Sequence, residues 1–176
     1  MKRILLATAI AVLSLASVPS VAHAEDLPAT EARDAFVRDQ RNHMTVLGAF
    51  ALGSIAAGVP MLTSSHAEIR AAGVQSVAWG AIDGAIALVA LVATNNLAND
   101  EASAAHWADE RATSRRIFAI NAGLDILYVT AGALLLALGK TDTLRGTGAG
   151  ILAQGGFLLA FDTAGIFVMA PRSSSH

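Results

Sequence analysis

Residues 115–140 read RRIFAINAGLDILYVTAGALLLALGK. Two arginines open the stretch and a lysine closes it, and the 23 residues between them carry a single charge, Asp125. About 20 apolar residues in helical form are enough to cross a hydrocarbon layer about 30 Å thick. The stretch therefore predicts a membrane-spanning helix over residues 117–139 with an acid near its middle. Segments 44–62, 71–94 and 146–170 have the same character, and two of them also hold one internal aspartate, Asp83 and Asp162. The expected fold is all-α: a four-transmembrane-helix bundle, residues 44–170, made of two helical hairpins.

Composition agrees. The 176-residue chain is 54% hydrophobic and 15% charged, with a mean hydropathy of +0.53, whereas soluble domains carry about 25% charged residues. A net charge of −2 is too small to imply nucleic acid or another polyanion as a partner. The absence of cysteine excludes disulfides, thiolate metal sites and cysteine nucleophiles. No G-x-S-x-G, P-loop, H-E-x-x-H or Rossmann glycine run occurs, so neither an enzyme nor a cofactor is expected. His43, His66 and His106 lie in flanks and loops without metal-ligand spacing and read as solvated; no metal site is expected.

The flanks suggest an address. Residues 1–24 fit a secretory signal peptide, with Lys2 and Arg3, an apolar run over 4–16 and Ala22-His23-Ala24 as a small-x-small cleavage site; an uncleaved anchor is the alternative. Residues 25–43 read as a polar periplasmic helix that feeds straight into the first span, a solvated collar, and 95–116 as a charged loop helical after Asp100, with Trp107 at the membrane interface. Residues 63–70 and 140–145 form the short turns, and 171–176 the tail. The localisation expected is the bacterial inner membrane, multi-pass, with both termini periplasmic. The positive-inside rule supports that orientation poorly, so it rests on the signal peptide.

Gln75 and Asp83 stand eight residues apart, as do Gln154 and Asp162: QSVAWGAID against QGGFLLAFD. At the same offset Asn42 falls on Asn121 and Gly53 on Gly132, while Asp125 falls on Val46. Two tandem hairpins related by a parallel repeat would give this pattern. Gln75 and Gln154 read as interhelical polar contacts. Gly80 and Gly84 flank Asp83 and turn that region toward another helix.

A helix rises about 1.5 Å per residue. Asp83 then lies at the middle of its span, and Asp125 and Asp162 lie about 4.5 and 6 Å from theirs, both displaced toward the same membrane face. The three carboxyls can meet in one layer. Three carboxylates in low dielectric repel, and the layer must take up protons or share a cation or small polar ligand. Asn121, four residues before Asp125, and Tyr128, three after it, lie within reach. The alternative is that the acids serve only as interhelical hydrogen bonds.

Asn121-Ala-Gly-Leu-Asp-Ile-Leu-Tyr128 with Gly132, then Gly148-Ala-Gly150 and Gln154-Gly-Gly-Phe-Leu-Leu-Ala-Phe-Asp162, resemble an uncharacterised bacterial family of four-helix integral membrane proteins. Its third helix carries N-x-GLD-x-x-Y and its fourth QG-x-FLL-x-FD; Trp79 is similar to the Trp of its second helix. There the family tends to have Asn where this chain has Gly80 and Asp83. The resemblance implies the fold and supplies no activity. Two functions remain: a protein binding a proton, cation or small polar ligand at Asp83, Asp125 and Asp162, or a structural protein engaging a membrane protein partner through its periplasmic loop.

Overall fold

A computed structural model describes residues 28–171. The expected signal peptide and most of the expected tail lie outside the described residues. Four helices follow in order: α1 (Ala29–Met61), α2 (Ala67–Leu97), α3 (Ala104–Leu138) and α4 (Asp142–Val168), and no strand occurs among the described residues. All four are long and apolar enough to cross a membrane. The sequence marks their ends. Ser103 caps α3 by accepting from the His106 N–H at 3.3 Å, and Thr141 caps α4 by accepting from the Leu144 N–H at 3.2 Å. Pro28 precedes α1, and Pro60 falls in its last turn, where little helix remains to be broken.

The outer surface is apolar: Leu52, Leu88, Val89, Leu138 and Phe167 are each more than 60% exposed. Water would penalise such a belt, whereas hydrocarbon does not. The helices pack as two hairpins, α1 with α2 and α3 with α4. The hairpins meet mainly through α2 and α4, and less extensively through α1 and α3. No Cα atom of α2 comes within 8 Å of one in α3.

Missing side chains permit close helix approach. A Cβ on Gly132 would stand 2.6 Å from the Leu152 backbone nitrogen and 3.0 Å from the Gly148 carbonyl oxygen, so α3 and α4 touch backbone to backbone. Gly53, paired with Gly132 by the sequence repeat, would meet nothing within 4 Å. The repeat therefore does not extend to helix packing at that position. Gly80 does face another helix, as its position beside Asp83 predicted: its Cβ would meet the Ala51 carbonyl oxygen at 2.8 Å.

Three expectations about the flanks need correction. The collar does run straight into the first span, as the first turns of α1, but it is not simply solvated: it buries Ala32, Ala35, Phe36 and Val37. Trp107 does not face lipid or water. It is 1% exposed, packs on Phe36 with ring centroids 5.9 Å apart, and donates its indole N–H to the Ala102 carbonyl. His43 is buried, stacked on Phe161 and edge-on to Phe118. Helix length explains all three: α1 has 33 residues and is about 50 Å long, so it projects well beyond a 30 Å layer. Its projecting part packs against the start of α3 and the end of α4. Arg111 fastens this cap, donating to Asp39 Oδ2 of α1 and to the Val168 carbonyl of α4, both at 3.0 Å.

Candidate functional site

One face of each helix turns to a common cavity of about 320 Å³. On α3 the lining residues include Ser114, Phe118, Asn121, Asp125 and Tyr128, a three-to-four-residue stripe. On α2 they are Trp79, Asp83, Ile86 and Ala90, with the same spacing. Helix α1 contributes Gln40, Met44 and Leu47, and α4 contributes Leu158, Phe161 and Asp162. Asp83, Asp125, Asp162, Asn121 and Tyr128 all line this one space.

The acids are deeply placed: Asp83 is 2% exposed, Asp125 4% and Asp162 5%. The Asp162 carboxyl neighbours Asp125 and Asn121 across the α3–α4 contact, and all three line the cavity. Asp83, on α2, lines the same cavity. One oxygen of Asp83 and one of Asp125, both Oδ2, are buried without a hydrogen-bond partner. Leaving such an atom unpaired costs about 1–3 kcal/mol, and more when it is charged. Among the described residues no group of three or more His, Cys, Asp or Glu is placed to hold a metal ion.

The two glutamines sit apart from this layer, each directed at the opposite hairpin. The Gln154 side-chain amide of α4 donates to Ser54 Oγ of α1 at 3.2 Å in a buried contact. Gln75 of α2 packs against Gly150 of α4, whose absent side chain makes room for it. Trp79 meets Tyr128 edge-on, with centroids 5.2 Å apart, and bridges α2 and α3 on the short-turn side of the acids.

Sequence reasoning missed Gln40, whose Oε1 is buried without a partner, and Ser114. Both lie in stretches that look like solvated flank. The signal was present: Gln40, Met44 and Leu47 continue a helical stripe from the flank into the span.

No curated protein and no solved structure matches the chain. A family model does match, over residues 46–163, which take in the second half of α1, all of α2 and α3, and most of α4 with its acid. The chain belongs to that family, a family of unknown function (DUF6992).

Proposed function

We propose that this protein is a multi-pass protein of the bacterial inner membrane, with both termini periplasmic, and that its bundle binds a proton, cation or small polar ligand at Asp83, Asp125 and Asp162. It works as a binding protein and not as an enzyme. The observation that carries this is the pair of buried, unpartnered carboxyl oxygens facing a single cavity. Acids retained only to hold helices together would satisfy each other, because an unpaired polar atom weakens the bundle it is meant to fasten. The leader-like residues 1–24 support the address.

A second reading has one observation in its favour. Asp125 and Asp162 stand beside each other across the α3–α4 contact, where a hydrogen bond between them would be interhelical glue worth about 0.6–2 kcal/mol in a membrane bundle. On that reading the protein is an assembly component and the cavity is incidental.

Thermal unfolding in detergent across a range of pH separates the two. The wild type is compared with the triple variant Asp83→Asn, Asp125→Asn, Asp162→Asn. A ligand-handling acid layer gives the wild type a pH response that the triple variant lacks. Identical pH profiles would remove the first reading.

A further inference from the structure

We propose that the cavity takes an amphipathic amine directly from the bilayer, entering between α2 and α3 with its ammonium group toward Asp83 and Asp125. This rests on the binding function proposed above and adds the chemical class of the ligand and its route. The route follows from which lining residues are exposed. They are Ile86 of α2 and Ile117, Leu124 and Tyr128 of α3, and no exposed lining residue belongs to α1 or α4. The mouth therefore lies between the two helices whose Cα atoms nowhere approach within 8 Å. Ile86 is three residues from Asp83, and Leu124 adjoins Asp125, so the opening is level with the acids. That level is inside the apolar stretch of both helices, where the surrounding phase is hydrocarbon.

The ligand class follows from the floor. Two buried carboxyl oxygens lack a donor, and an ammonium group supplies up to three N–H bonds without needing an acceptor. No Lys or Arg lines the cavity, so phosphate-bearing headgroups and other anions meet only like charge. The carboxyls are not grouped for a metal ion. A volume of about 320 Å³ is far more than a proton or bare ion needs, and reaches the lower end of small-molecule sites. Met44, Leu47, Phe118 and Leu158 give the remaining wall an apolar surface suited to an alkyl chain.

The test uses the purified full chain in phosphatidylcholine nanodiscs, with empty discs as the partition control. Binding of decylamine, methylamine, decanol and decyl sulfate is measured by equilibrium dialysis, with thermal unfolding as the check on folding. Decylamine is expected to bind in excess of the empty discs. Asp83→Asn with Asp125→Asn should weaken it about tenfold or more, the loss expected for charge-assisted hydrogen bonds. Leu124→Trp, at an exposed rim position, should also weaken it without lowering the unfolding temperature. Acid-dependent binding of methylamine but not decylamine would overturn entry from lipid and leave the binding function standing. Acid-dependent binding of neither amine would overturn both. Decanol or decyl sulfate binding as well as decylamine would overturn the amine, and full binding by Leu124→Trp would overturn the α2–α3 route.

Discussion

Adding one methyl group at two glycines separates what sequence periodicity equates from what packing distinguishes. Gly53→Ala and Gly132→Ala each place a Cβ inside a long helix. Each gains up to about 1 kcal/mol of helix propensity, because Ala orders more cheaply than Gly. At Gly53 the new atom meets nothing within 4 Å. At Gly132 it lands 2.6 Å from the Leu152 nitrogen and 3.0 Å from both the Leu152 Cα and the Gly148 oxygen. These are backbone atoms and no side chain can swing aside, so α3 and α4 must separate by about 0.8 Å to restore a 3.4 Å contact. Overpacking of this kind costs about 1–3 kcal/mol. Gly132→Ala should therefore be less stable than Gly53→Ala by about 1–3 kcal/mol. Reversible unfolding by sodium dodecyl sulfate in mixed micelles, followed by circular dichroism, measures the difference. Equal stabilities would refute the backbone contact, and with it the register that sets Asp125 against Asp162.

Other outcomes follow from single contacts. Arg111→Met removes the buried ion pair to Asp39 and the hydrogen bond to the Val168 carbonyl, and should cost about 1–3 kcal/mol in the same unfolding assay. Ser54→Ala and Gln154→Leu each break the buried α1–α4 hydrogen bond; a double-mutant cycle should return a coupling of about 0.6–2 kcal/mol. Trp107→Ala should destabilise the cap by about 3–5 kcal/mol in that assay, because the side chain is almost fully buried; a Trp at a lipid interface would give a much smaller loss.

How much of this was legible in the sequence depends on dimension. Depth along a helix can be counted at about 1.5 Å per residue, which is why Asp83, Asp125 and Asp162 could be assigned to one layer. Rotation about the helix axis and the choice of neighbour cannot be counted this way. A membrane-spanning segment that is apolar all round gives no moment to orient it. The mouth between α2 and α3 and the opposed directions of Gln75 and Gln154 arise from that choice of neighbours. The cap was misread for another reason. Its buried face is built largely from alanines, at positions 32 and 35, set among charges, so composition suggested a solvated flank. His43 sits where that face enters the span, and the stripe through Gln40, Met44 and Leu47 marks which side of the continuous helix is covered.

Dicyclohexylcarbodiimide, an apolar reagent that modifies protonated carboxyl groups, reports most directly on whether the acid layer is buried and open to lipid. The full chain in native membranes is treated with it, and the adducts are located by peptide mass spectrometry. Asp83, Asp125 or Asp162 should be modified, the adduct should vanish in the triple Asn variant, and a water-soluble carbodiimide should fail at those positions. Modification confined to exposed acids of the projecting end, such as Asp34, Glu101 and Asp109, with the three membrane aspartates untouched, would contradict it.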